Sequence, residues 1–123
     1  METIDALTVA RGYHDAWTSK NFELASDLLS EDLKIEVPIN SYKTKQEFLE
    51  AVKFTCQAVT GINILSELSN KDEAILLYDM QIPSMGNLRI VEHFTITNGK
   101  IVQIRHIHDT APFREAGFKP NNV

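Results

Sequence analysis

Glu92, His106 and His108 are the residues of this chain whose types and placement suit proton transfer. His106 and His108 stand two residues apart, after an Asn98-Gly99 pair set between apolar runs, which is a strong hairpin signal. Side chains alternate along a strand, so both imidazoles point to one face. If Glu92 lies beside His106 on the neighbouring strand, its carboxylate orients the ring and raises its basicity. His106 then acts as base or acid near neutral pH. The structural alternative is a partly buried ion pair that keeps a polar patch satisfied, with His108 a rim residue. The three side chains also match a two-histidine, one-carboxylate metal set, for which two histidines on a strand face are a weak signal. No metal is expected.

Helices and strands must hold these groups. Ile4, Leu7, Ala10, Tyr13 and Trp17 recur at helical spacing, with Thr3 as cap and Asp5 in the first turn. Asn21 caps a second, short helix that buries Phe22, Ala25, Leu28 and Leu29, and Ser30 to Asp32 end it. Leu33, Ile35 and Val37 alternate with Lys34 and Glu36 as a strand stopped by Pro38. Thr44 and Glu47 form a capping box for a third helix, whose inner face carries Phe48, Leu49, Val52, Cys56 and Val59. Ile62 to Ser69, Glu73 to Pro83 and Leu88 to Asp109 then read as strands, the last folded at Asn98-Gly99. Helices first and consecutive strands afterwards predict an α+β fold, with an antiparallel sheet covered on one face.

The hairpin register decides what the histidines meet. A two-residue loop pairs Thr97 with Lys100 and sets Arg89, Val91 and His93 on the histidine face. A three-residue loop with Gly99 as the bulge pairs Ile96 with Lys100. It gathers Leu88, Ile90, Glu92, Phe94, Val102, Ile104, His106 and His108 on one face, and leaves Val91, Ile101, Arg105 and Ile107 on the other. The first face is more apolar, so the bulged register is preferred. Leu76, Tyr78, Met80 and Ile82 join it.

The outcome is an apolar concave surface with a few polar groups, the usual build of a small-molecule pocket. Tyr13, Trp17, Tyr78, Met80, Ile90, Ile104 and His108 are its expected ligand-binding residues. A filled core with polar tips at the rim is the competing outcome, since aromatic residues at helical spacing often only pack. Tyr42, in the loop before the third helix, is placed to close the mouth or to anchor packing. Cys56 reads as a small buried hydrophobe.

Composition narrows the partners. The 123 residues suffice for one domain with a real core, taken as 1–123. A formal net charge of −5 argues against a nucleic-acid binder. There is neither a basic run for an anionic membrane nor an apolar stretch long enough to span one. The lone cysteine excludes an internal disulfide, and no secretory signal is visible. A cytoplasmic protein is expected. No phosphate loop, Ser-His-Asp set or cysteine-pair zinc motif occurs.

The residues "YHDAW", "FELASDLLSEDLKIEVP", "YKTKQEFLEAV" and "EHFTITNGKIVQIRHIHD" together resemble the nuclear transport factor 2-like superfamily, in its SnoaL-like branch, nearly end to end. The resemblance implies a cystatin-like cone: three N-terminal helices packed on a curved, mainly antiparallel sheet. It implies a homodimer through the outer sheet face, around Val91, Ile101 and Ile107, and no cofactor. It does not fix one activity, since the fold hosts isomerases, cyclases, hydrolases and binding modules. Steroid isomerases of this superfamily, a general example of pKa tuning, use a helix tyrosine and a strand acid as oxyanion hole. They use a carboxylate before a proline as base. Tyr13 and Glu92 fall at or near the first two positions, but the third holds Val37, before Pro38, and valine cannot take a proton. Branch cyclases place an acid-base Asp on the last strand, where this chain has His106. The sequence therefore favours a domain that binds a small apolar or cyclic molecule. The alternatives are an acid-base enzyme using Glu92 and His106, and a dimeric scaffold with a filled cone.

Overall fold

The computed structural model describes residues 5–117. Asp5 caps α1 (Ala6–Thr18), its side chain accepting from the Leu7 backbone N–H. The expected cap Thr3 and the core residue Ile4 lie outside the described residues. Lys20 turns the chain with a positive φ of 67°, and Asn21 caps α2 (Phe22–Leu28) as expected. No break follows α2. Ser30 to Asp32, expected as a turn, already belong to β1 (Leu29–Glu36), so this strand starts earlier and ends one residue before Val37. Thr44 caps α3 (Lys45–Ala58) by accepting from the Glu47 N–H at 3.1 Å. Glu47 reaches back to the Lys43 N–H at 2.9 Å, one residue earlier than in the standard box.

The strands β2 (Gly61–Ser69), β3 (Glu73–Ile82), β4 (Gly86–Thr97) and β5 (Lys100–Ile107) form an antiparallel run. β1 joins its edge in parallel with β5, giving the order β1-β5-β4-β3-β2 in a curved, five-stranded, mainly antiparallel sheet. Along β3, Ala74, Leu76, Tyr78, Met80 and Ile82 are buried. They pack with Val9, Ala10, Tyr13, Ala16 and Trp17 of α1 and Phe48 and Leu49 of α3 in one core. The short helix α4 (Ala111–Glu115) follows β5 and packs Phe113 against this core. Among the described residues no helix is long and apolar enough to cross a membrane.

The hairpin corrects the expected register. Thr97 pairs with Lys100 and Ile96 with Ile101, so the loop has two residues, not three. Asn98 and Gly99 both adopt positive φ, 52° and 75°, as this tight turn requires. The extra residue lies further on: Thr95 pairs with Gln103, which leaves Val102 bulged and unpaired. Beyond the bulge Phe94 faces Ile104 and Glu92 faces His106. The inward face of Glu92 and His106 is therefore as expected, reached by a different device. Two assignments change with it. Val102 is a bulge residue rather than a regular member of the inner face. Ile101, expected outside, is fully buried, because the bulge lets Ile101 and Ile104 both turn inward. Ile101 thus drops out of the outer surface.

Candidate functional site

Between the curved sheet, α1 and α3 lies a cavity of about 270 Å³. β3, β4 and β5 supply Tyr78 and Met80, Ile90 and Glu92, and His106. α1 adds Tyr13 and Trp17, and α3 adds Phe48, Val52, Phe54 and Thr55. Val37, Pro38, Asn40 and Tyr42, between β1 and α3, and His108 with Phe113 of α4 complete the lining. Most of this wall is hydrocarbon, with polar groups gathered at the sheet.

Glu92 is the centre of those polar groups. Its carboxylate is 2% exposed, and both oxygens are engaged. Tyr78 donates its hydroxyl to Oε1 at 3.0 Å, and His106 Nε2 stands 2.7 Å from Oε2. Burial alone would push this carboxyl up. The facing His106, through charge and hydrogen bond, then His14 and the Tyr78 hydroxyl, outweigh burial and hold it below the ordinary range. An ionised Glu92 selects the His106 tautomer with hydrogen on Nε2, leaving the lone pair on Nδ1. Nδ1 takes part in no hydrogen bond within the described residues. The ring itself borders the cavity and leans on Phe48, with centroids 6.3 Å apart.

Tyr13 is fully buried, its ring edge-on to Phe94 at 6.0 Å. Burial, and then the charge of Glu92, push its hydroxyl well above the ordinary phenol range, so it stays a donor. Tyr78 is shifted the same way by burial and then by Glu92. His108 lies just past β5; its Nδ1 is 3.0 Å from the Asp109 carbonyl and its ring 5.0 Å from Phe113. Burial lowers its pKa. Tyr42 accepts a hydrogen bond from Asn40 Nδ2 at 3.1 Å and packs edge-on against Phe48.

Of the expected ligand-binding residues, Tyr13, Trp17, Tyr78, Met80, Ile90 and His108 border the cavity, with Glu92 and His106. Ile104 does not: it is fully buried beneath the wall, in the core. Glu36, next to the valine, points to the outer face, where it meets Arg105 at 3.2 Å and Gln103 at 3.3 Å. Val37 lines the cavity and offers no acid or base there. Cys56 is buried, with Sγ 3.3 Å from the Trp17 carbonyl. Among the described residues no group of three metal-ligating side chains converges.

Sequence reasoning overlooked His14. It is 2% exposed, between Trp17 and Tyr78 with ring centroids at 5.6 and 4.9 Å, and its Nδ1 has no hydrogen-bond partner. Burial lowers its pKa, so the ring is neutral at neutral pH. The helical period contained the signal, since position 14 is four from Ala10 and three from Trp17. Phe54 and Met85 of the wall were also overlooked; neither belongs to a periodic inward stripe.

Three helices over a curved five-stranded sheet, with a cavity between them, place the protein among NTF2-like, cystatin-like folds. A family model described as the SnoaL-like domain matches residues 10–104, and the chain belongs to that family. Among solved structures, a protein of Kribbella flavida DSM 17836 is 27% identical, with a TM-score of 0.86 over 93% of this chain and 94% of that one. A second protein of that organism, provisionally assigned as a ketosteroid isomerase, is 20% identical, with a TM-score of 0.70 over 86% and 78%. An LEH-like epoxide hydrolase of M. tuberculosis is 14% identical, with a TM-score of 0.71 over 90% and 87%. The last two likenesses concern the fold alone. Comparison with curated proteins gave no match.

Proposed function

We propose that this SnoaL-like domain binds a small, mostly apolar, cyclic molecule in its cavity and moves a proton on it with His106. The observation that carries the reading is the 2.7 Å contact of His106 Nε2 with the buried Glu92 carboxylate, on the cavity wall. Val37 in place of a carboxylate base had weighed towards binding alone. The Glu92–His106 contact weighs the other way, because it supplies a base of a different type on the cavity wall.

In this reading His106 Nδ1 takes the proton and the ring becomes an imidazolium. Glu92 stabilises that charge and fixes the tautomer beforehand. Tyr78 keeps Glu92 in place. The Tyr13 hydroxyl, which has no hydrogen-bond partner within the described residues, donates to the oxygen where negative charge develops. Proton shift beside a carbonyl and activation of water on an epoxide both fit these roles. The fold-mates assigned as an isomerase and an epoxide hydrolase make those two classes the first to try.

The test is a panel of cyclic enones, β,γ-unsaturated ketones and epoxides, assayed with the wild type and His106→Ala. Turnover of one class is expected, with kcat/KM lower by roughly 10²–10⁴ in the variant. Equal turnover by both proteins would remove His106 from the chemistry. Panel members that bind without reacting would return the domain to a binding role.

A further inference from the structure

The charges around the cavity are one-sided, and this bears on which molecules enter it. Glu92 presents a buried carboxylate to the wall, and among the described residues no lysine or arginine borders the cavity. The cations that could offset it are histidines. His106 faces Glu92 from β5 and at most neutralises it when protonated. His108, beyond β5, is disfavoured as a cation by burial. His14 faces Glu92 from α1 and is likewise kept neutral by burial. The remaining groups facing Glu92 are the hydroxyls of Tyr13 and Tyr78, both uncharged. Arg11, one turn before His14, is held by Asp15 and Glu67 and does not border the cavity. The described residues therefore give the wall, near neutral pH, a charge between zero and minus one. The rest of the lining is largely aromatic: Trp17, Tyr42, Phe48, Phe54 and Phe113 present ring surface, which attracts cations and gives carboxylates nothing.

We propose that the cavity is selective for charge, accepting an apolar organic amine as its ammonium form and rejecting the carboxylate of the same shape. This rests on the cavity being a ligand site, as proposed above. An ammonium N–H donates to His106 Nδ1, whose ring passes the polarisation through Nε2–H to Glu92, while the hydrocarbon body lies against the aromatic wall. A protonated His106 would repel the same ligand.

Three probes of one shape separate the possibilities: 1-adamantylamine, 1-adamantanol and 1-adamantanecarboxylate, with binding read from the fluorescence of Trp17, the chain's single tryptophan and a cavity residue. At pH 8 the amine is expected to bind at least tenfold tighter than the carboxylate. The alcohol, of the same shape and uncharged, is expected to fall between the two. Glu92→Gln should erase the difference between amine and carboxylate, and the three-probe comparison on the wild type tests charge selectivity without a variant. A carboxylate that binds as tightly as the amine would overturn charge selectivity and leave the ligand site standing. Binding of none of the three would overturn the ligand site itself.

Discussion

Glu92 and His106 are direct cross-strand partners, and their side chains meet at 2.7 Å on the inner face of the sheet. A buried carboxylate in this position is stable only because charge-assisted hydrogen bonds replace its water. The contact thus shapes stability as well as any chemistry at His106, and the two can be measured apart.

Stability should depend on pH through Glu92. Its folded-state pKa is depressed, so the stabilisation is complete above the unfolded carboxyl value of about 4.3 and is lost as pH falls through the folded value. Glu92→Gln lacks this contribution. Urea unfolding should show the variant about 1–3 kcal/mol less stable at pH 7, with the gap closing on acidification below pH 4. A gap that stays constant over that range would contradict the ionised, paired Glu92.

Tyr78→Phe keeps the ring against His14 and removes only the hydroxyl that Glu92 accepts from. Its loss should raise the Glu92 pKa, since this hydrogen bond is among the groups that lower it. It should cost about 1–3 kcal/mol, the range for stranding a buried acceptor. Carboxyl carbon NMR titration reads the first and chemical denaturation the second. An unmoved Glu92 titration would mean the hydroxyl does not support the pair.

Gly99 adopts φ +75° within a two-residue turn. Gly99→Val forces a branched side chain into that region and should destabilise the protein by about 1–2 kcal/mol. The measurement is a urea midpoint at constant m-value. A variant as stable as the wild type would show that the turn is not held in this conformation.

Ile104 is fully buried yet outside the cavity wall, whereas Ile90 borders it. Ile104→Ala should lose about 2–5 kcal/mol in stability. A milder Ile104→Val should lose about 0.5–1.5 kcal/mol and leave probe affinity unchanged, while Ile90→Val alters affinity. Equal effects of the two valine variants on affinity would contradict this division.

We propose that the outer sheet face forms a homodimer. The register sets Leu77, Val91 and Ile107 in one row across β3, β4 and β5, with Ile107 65% exposed at its end. Ile107→Lys should shift the protein to monomer in light scattering, without loss of helix or strand signal. A wild type that is monomeric at high concentration would dismiss the interface.

Local signals were legible because they act over a few residues. The Asn21 and Thr44 caps, the α1 and α3 stripes and the Asn98-Gly99 turn each depend on neighbours within one turn of chain. Alternation along β3 likewise marks which of its side chains face the helices. The class of fold and the inward face of Glu92 could be read from these patterns.

Other features depended on groups distant in sequence. The Val102 bulge answers to packing of Ile101 and Ile104 under the helices, which no local preference encodes. β1 starts at Leu29 because β5 is there to pair with it. The 2.7 Å approach of His106 to Glu92, the share of Tyr78 in holding that carboxylate, and the open space before them exist only once β3, β4 and β5 are side by side. Sequence determined which groups were available; tertiary packing decided which way the residues around the Val102 bulge turned and which groups touch, because register, distance and desolvation belong to the assembled sheet and not to any segment of it.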